Sequence, residues 1–463
     1  MPVASSAPRS PVARQTVTRG LDLPIAGAPS PRIVEARRVS RVAVLPSDHL
    51  GTKPRLRVQD GDVVVRGQPL WQDRTHSAIT VTSPGSGRVV AVHRGERRAL
   101  QSIVIELDAT DGDGHVPFPS YTPTAGRDRA TVRALLLESG LWVALRTRPF
   151  NHVPAPDAEP SAIFVTALDT SPLAPQVDAV IGERVDDFAR GLEALRTLSD
   201  APVFVCRAPG SHLGDGVDGV QLAEFGGKHP AGAPGFHMHT LAPVSRTRTA
   251  WQLAAHDVVR IGHLLRTGQL DVSHVIALGG PAVREPRHLR TRLGASLDEL
   301  LAGGLSPVAP GALPPRPITG AAPTGRRADG AAFGYLSRHH HAVAVLPEVV
   351  KRRFLGFLRP DAASFSSLPV YLGGGARAGF DTMMHGGPRA MVPIGAYERV
   401  MPYDLMPTHL LRAIQLGDAE WAEQLGVLEL DEEDVALCSY VCPGKADYGT
   451  ALRRLLDSIA AER

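Results

Sequence analysis

The sequence predicts an α/β multidomain protein: a barrel-sandwich (biotinyl/lipoyl-like) N-terminal β domain, a Rossmann-like α/β domain, a β-grasp domain and a C-terminal helical domain. Three observations carry the prediction. Short apolar runs separated by turn residues fill residues 40–107, helix and strand patterns alternate from Thr131, and apolar residues at three- and four-residue spacing take over after Tyr397. The 463 residues allow several domains with buried cores, and hydrophobic (43%) and charged (21%) shares near the soluble average exclude a disordered or multi-span membrane protein.

Residues 1–19 carry Arg9, Arg14 and Arg19 without an acid and lack the apolar core of a secretory signal, so a disordered extension is expected there. The barrel-sandwich is assigned to 20–125. Its runs Val42–Leu45, Val63–Val65, Ile79–Val81, Val89–Val92 and Ile103–Ile105 read as short strands, with Asp60-Gly61 and Ser83-Pro84-Gly85-Ser86-Gly87 as tight corners. A swinging-arm carrier needs a lysine at the hairpin tip, and Asp73-Arg74-Thr75-His76-Ser77 has none. The Rossmann-like unit is placed at 126–271, with a helix from Thr131, a strand at 162–168, a helix through Phe188–Leu195 and a strand at 203–206. A β-grasp domain is placed at 272–330, a return segment to the α/β domain with loops at 331–394, and a helical domain at 395–463, with helices at Thr408–Gln415, Asp418–Leu425, Asp431–Tyr440 and Thr450–Ala461.

The charge balance excludes little but points nowhere exotic. A net charge of +3 is mild for this length and calls for no nucleic acid, and with only four lysines (Lys53, Lys228, Lys351, Lys445) the arginine excess reads as coding bias. No window approaches the ~18 apolar residues of a membrane helix. Cys206, Cys438 and Cys442 cannot form a disulfide framework, which favours a reducing compartment.

Several longer strings carry more information: Gly20–Gly27, Arg146-Thr147-Arg148-Pro149-Phe150, Phe164–Leu173, His229-Pro230-Ala231-Gly232, Arg389–Pro402, and Glu429–Cys438 with Val441–Lys445. Together they resemble the A subunits of bacterial sodium-translocating NADH:quinone oxidoreductases, in one order from residue 20 to 460. The chain departs from that pattern at Ala233–Thr240, at Ser337–His341 and in the glycine-rich 371–388. The resemblance implies a peripheral subunit without a transmembrane helix on the cytoplasmic face of the bacterial inner membrane. Its partners would be the other subunits of a six-subunit complex, the membrane-embedded B subunit above all, and ubiquinone. NADH, FAD, FMN, riboflavin and the 2Fe–2S centre would belong to other subunits.

The family is similar to the Rnf-complex C subunit and the flavin-binding subunit of respiratory complex I, which carry a glycine loop for FMN and NADH. An electron-input subunit of that kind, with FMN, NADH and Fe–S clusters on this chain, is the alternative reading. Where that loop is expected, Trp142 and Leu145 stand in place of an open backbone cradle. Cys438 and Cys442, followed by Pro443, match only the last two ligands of C-x₂-C-x₂-C-x₃-C-P, a remnant of a cluster motif. Neither a metal site nor a catalytic residue is expected, and no FMN or NADH contact. The pair His237/His239 and the run His339–His341 read as satisfied or solvent-facing histidines, the Leu368–Ala378 stretch as a loop that mimics a dinucleotide fingerprint, and Asp431–Asp434 as helix-start acids. A quinone headgroup would fit between the Rossmann-like and β-grasp domains, with His229, His237, Arg146 and Tyr397 as polar rim candidates.

Overall fold

The computed structural model describes residues 13–109, 114–123, 126–350, 379–384 and 387–462. The Leu368–Ala378 fingerprint-like stretch and most of residues 371–388 lie outside them, as do residues 1–12.

The barrel-sandwich is present as expected. A four-stranded antiparallel sheet (Arg41–Val44, Leu100–Leu107, Gly87–Arg94, Val63–Val64) faces a three-stranded one (Pro54–Leu56, Pro69–Asp73, Thr80–Thr82). Val42, Val64, Leu70, Trp71, Ile79, Val89, Ile103 and Ile105 fill the space between them. Gly87 stands where a Cβ would lie 2.0 Å from the Glu106 carbonyl oxygen, so the Ser-Pro-Gly-Ser-Gly corner accepts no side chain there.

Downstream, a six-stranded sheet runs in the order Ala13–Val17, Val220–Gly227, Val203–Arg207, Ala162–Ala167, Ala250–Ala254, Arg146–Arg148, parallel except for the antiparallel last pair. Its central strands are almost wholly apolar because both faces are covered, and the two-residue period divides them between two cores. Ile163, Val165, Val203 and Val205 point to the helices Arg129–Ser139, Val185–Leu198 and Ala255–Thr267. Phe164, Phe204 and Cys206 point to the opposite core, built with Leu410, Leu411, Leu452 and Leu456 of the C-terminal helices. Those helices span Pro407–Leu416, Ala419–Gln424, Ala436–Val441 and Tyr448–Ala461. A second six-stranded sheet, of mixed direction, follows the order Arg326–Arg327, Arg316–Thr319, Ala342–Leu346, Ser273–Gly279, Arg287–Arg292, Ser30–Glu35.

Four expectations are corrected by this arrangement. Ala13–Val17, inside the supposed disordered extension, forms a parallel edge strand against Val220–Gly227, and Arg14 there pairs with Glu224. Its period-2 pattern is too short and too polar to announce itself. Ser30–Glu35, assigned to the barrel, pairs instead with Arg287–Arg292 in the second sheet. Ala342–Leu346, in the segment expected to return to the α/β domain, lies at the centre of the second sheet between Ser273–Gly279 and Arg316–Thr319. All five of its residues are buried, which an inner strand of that sheet requires. The expected single helix Asp431–Tyr440 is a 3₁₀ turn, Glu432–Val435, running into the helix Ala436–Val441.

The helices Val185–Leu198 and Ala255–Thr267 approach closely through glycines. A Cβ on Gly262 would lie 1.8 Å from the Asp187 carbonyl oxygen, and one on Gly191 would lie 2.0 Å from that of Val258. Gly262→Ala is therefore expected to lower the thermal unfolding midpoint. Overpacking against backbone costs about 1–3 kcal/mol, more than the ~1 kcal/mol that alanine adds in helix propensity.

Candidate functional site

The order of the first sheet creates a crevice. From Ala162–Ala167 the chain moves outward to Val203–Arg207 and Val220–Gly227, then returns to the other side as Ala250–Ala254. Connections diverge between Ala162–Ala167 and Ala250–Ala254, and ligands of open parallel sheets bind at the carboxyl ends of such strands. A cleft of about 130 Å³ lies at that point. Thr166, Leu168 and Asp169 line it from one strand, Gln252 and Leu253 from the other, and His256 from the first turn of the following helix. The edge strand adds Arg146, the turn after Val220–Gly227 adds His229, the second sheet adds His341, and the C-terminal region adds Glu433.

The walls carry polar atoms left without partners. Gln252 Oε1, His256 Nε2, Arg146 Nε and both ring nitrogens of His341 are buried with no hydrogen-bond partner among the described residues. Gln252 is 1% exposed and His256 7%. An orphaned buried group of this kind costs about 1–3 kcal/mol, and four of the residues that carry one, Arg146, Gln252, His256 and His341, line this cleft. Gln252 Nε2 donates to Asn151 Oδ1 at 3.3 Å, which holds the amide in place. The rings of His256 and His341 stack with centroids 3.7 Å apart and 13° between planes, and His274 lies 4.9 Å beyond. Burial, with Arg260 nearby, drives His256 down to about 3, and burial also holds His341 well below the usual imidazole range. At neutral pH both rings are uncharged, each with one N–H and one lone pair.

Of the four rim residues named from the sequence, the structure brings Arg146 and His229 into the cleft. His229 Nδ1 meets Thr170 Oγ1 at 3.2 Å, and its backbone N–H donates to Asp22 at 2.8 Å. His237 does not line the cleft. It sits fully buried on the helix Pro234–Leu241, with Nε2 2.9 Å from the Ala231 carbonyl and its ring 4.3 Å from Phe225, where it supports the His229–Pro234 turn from behind. Tyr397 lies elsewhere, in the C-terminal core, with its hydroxyl 2.9 Å from Tyr448 Oη and donating to Cys442 Sγ at 3.3 Å. A helix-to-core contact decides its place, which residue spacing does not reveal.

The other sequence candidates also find their positions. Trp142 is fully buried, donates from Nε1 to the Pro154 carbonyl at 2.8 Å and packs edge-on to Trp251. Cys438 and Cys442 are buried in the helical core, and among the described residues no group of three or more His, Cys, Asp or Glu side chains is arranged to hold a metal ion. Burial alone would raise the Cys442 thiol, but donors from Tyr397, the Ala446 backbone and Tyr448 hold it below its ordinary value. The His339–His341 run is half-buried: His340 meets Thr319 Oγ1 at 3.2 Å, His339 stands edge-on to His49, and His339 Nε2 has no partner among the described residues. Gln252, His256 and Glu433 escape a reading of the sequence. Gln252 carries a signal all the same, one amide in the otherwise apolar strand Ala250-Trp251-Gln252-Leu253-Ala254.

The acids Asp431–Asp434 do more than begin a helix. Asp431 and Asp434 form a reciprocal capping box, as helix-start acids should. They also surround Arg148, fully buried at the sheet edge: Nη1 donates to Asp434 Oδ2 at 2.9 Å, Nη2 to Glu433 Oε1 at 2.9 Å, and Asp431 lies 3.5 Å away. Arg453 of the last helix closes the other side, donating to Asp431 at 2.5 Å, to Glu432 at 2.6 Å and to the Phe150 carbonyl at 2.7 Å. Four carboxylates thus share two guanidinium groups. Burial and the neighbouring Asp431 push Glu432 up to about 7, while burial with Asp434 and Asp431 does the same for Glu433. Against burial, Arg148 holds Asp431 well below the usual carboxylate range.

Two outcomes follow from this cluster. Arg148→Ala leaves buried carboxylates unpaired and is expected to cost about 3–5 kcal/mol, read by urea unfolding and by protease release of the C-terminal helices. Glu432 and Glu433 bind their protons more tightly folded than unfolded, so their stabilising contribution is present at acidic pH and lost as pH rises towards and through about 7. The unfolding midpoint of the full chain should fall across that rise, and Glu432→Gln with Glu433→Gln should flatten the slope.

Comparison with known proteins places this architecture. Residues 15–108 match the family described as the NqrA N-terminal barrel-sandwich hybrid domain, 127–270 the NqrA second alpha/beta domain, and 275–327 the NQRA C-terminal domain. The chain is 49% identical over 452 residues to the A subunit of the Na(+)-translocating NADH-quinone reductase of Pseudomonas aeruginosa (strain UCBPP-PA14), covering 96% of this chain and 99% of that one. It is 46% identical over 450 residues to the protein of the same name from Saccharophagus degradans, and 44% over 455 residues to that of Neisseria meningitidis serogroup C, with the same coverage in each case. The chain belongs to the family of A subunits of the Na(+)-translocating NADH-quinone reductase.

Proposed function

We propose that this chain is the peripheral, cytoplasmic-face A subunit of a sodium-pumping NADH:ubiquinone reductase, and that its cleft between Ala162–Ala167 and Ala250–Ala254 holds a quinone headgroup. The family membership supports the complex, and among the described residues no helix is long and apolar enough to cross a membrane. The membrane-embedded B subunit is the partner this reading expects, with NADH, FAD, FMN, riboflavin and 2Fe–2S chemistry in the other chains. The two α/β units that frame the cleft are read as Rossmann-like and β-grasp.

The observation that carries the quinone reading is that Gln252, His256 and His341, each with an unpartnered buried polar atom, all line this cleft. The flat faces of the stacked imidazoles suit a planar ring. A neutral imidazole N–H and the Arg146 guanidinium can donate to quinone carbonyl oxygens, which only accept. Gln252 Oε1 only accepts, and the hydroxyl of the reduced ring can donate to it. The cleft therefore offers partners to both oxidation states, while Leu168 and Leu253 supply apolar contact.

Titration of the purified full chain with a short-chain ubiquinone tests the reading through tryptophan quenching or calorimetry. Gln252→Leu is expected to weaken binding about five- to tenfold, since a buried hydrogen bond contributes ~1–1.5 kcal/mol. His256→Phe with His341→Phe should weaken it at least as much. Unchanged affinity in both variants, with folding intact, contradicts the assignment.

A further inference from the structure

Glu433 lines the cleft from the C-terminal region rather than from either sheet. Its Oε1 is fixed on Arg148 at 2.9 Å, and its side chain, which lines the cleft, is 38% exposed, so the residue lies between the cleft and the surface. No other carboxyl in the cleft has that setting: Asp169 turns its Oδ1 to its own loop, accepting from the Ser171 N–H at 2.8 Å. The imidazoles of His256 and His341 are held neutral by burial and stack face to face, a geometry that passes no hydrogen bond between them. A ring reduced in this cleft needs protons, and the histidines are poorly placed to carry one.

We propose that Glu433 is the proton donor to the ring bound in this cleft. The inference rests on the quinone reading above. The ring takes two electrons, supplied from NADH through the other subunits, and two protons. The Glu433 O–H bond breaks as an O–H bond forms on one ring oxygen. The carboxylate regains its proton from water on its exposed side, and water supplies the second proton. Removal from water is the main reason Glu433 keeps a proton near neutral pH, and the charges that face it modify that effect. Asp431, Glu432 and Asp434 on its own turn repel a further negative charge, while Arg146 and Arg148 on the edge strand and Arg453 on the last helix only partly offset them. His229, His256 and His341 across the cleft are pushed towards their neutral forms by burial. Burial and the two neighbouring aspartates push Glu433 up to about 7, the range in which a general acid works best in neutral solution.

The test uses the assembled complex and a short-chain ubiquinone, with reduction rate followed against pH. The wild-type rate is expected to fall as pH rises through about 7, because only the protonated acid donates. Glu433→Gln keeps the size and the contact with Arg148 but cannot ionise. It is expected to lower kcat about tenfold or more and to abolish that pH limb, with the loss in kcat rather than KM. Glu433→Asp restores a carboxyl and should recover a pH limb, which a purely structural role for the residue would not produce. Retention of the wild-type rate and profile in Glu433→Gln overturns the proposal. If Gln252→Leu weakens quinone binding as expected while Glu433→Gln leaves the profile unchanged, the proton role fails and the cleft reading stands. If neither variant has an effect, both fall.

Discussion

A strand buried on both faces has nowhere polar to turn except its ends, and that constraint organises this protein. Ala162–Ala167 sends Ile163 and Val165 to one helical layer and Phe164 to the other, so its chemistry is confined to the carboxyl end. The same holds for its neighbour Ala250–Ala254, with one exception: Gln252 places an amide inside the sheet at the edge of the crevice. Because the chain diverges between these two strands, no connection covers the crevice directly, and residues from the second sheet and the C-terminal region wall it instead.

Arg148 joins distant parts of the chain around that crevice. A fully buried guanidinium at the sheet edge demands carboxylate partners, and the turn Asp431–Asp434 supplies them from nearly three hundred residues away. The clamp fixes the C-terminal helices over one face of the sheet and brings Glu433 to the cleft in the same step. Packing and electrostatics are therefore not separable here: the acids that dock the C-terminal helices also influence the charge state of Glu433, which lines the cleft. The capping box at Asp431 and Asp434 gives the turn its shape, and Arg148 and Arg453 determine which of its acids remain ionised.

Much of the fold is legible in the sequence because it depends on period and turn chemistry. The strands at Val89–Val92 and Ile103–Ile105, the largely apolar run at 162–168 and the amphipathic helices at Thr408–Gln415 and Thr450–Ala461 appear where their patterns place them, within a few residues. What escapes is decided by partners far along the chain. Ala13–Val17 becomes a strand only because Val220–Gly227 presents an open edge, and Ala342–Leu346 finds the second sheet through pairing with Ser273–Gly279. The cleft is half legible. Arg146 and His229 open recognisable strings, whereas His341 reads as one of a run of satisfied or solvent-facing histidines, Glu433 as a helix-start acid, and Tyr397 as a rim residue although its hydroxyl is taken by Tyr448 and Cys442. Burial and convergence are tertiary facts, and no local spacing encodes them.

The crevice lined by Gln252, His256 and His341 is proposed to hold a planar ring with oxygens on opposite sides. A structure of the assembled complex with a short-chain ubiquinone examines this most directly. The ring should lie against the His256–His341 pair with one oxygen in reach of Gln252. A ring bound at another surface, with only water between these residues, contradicts it.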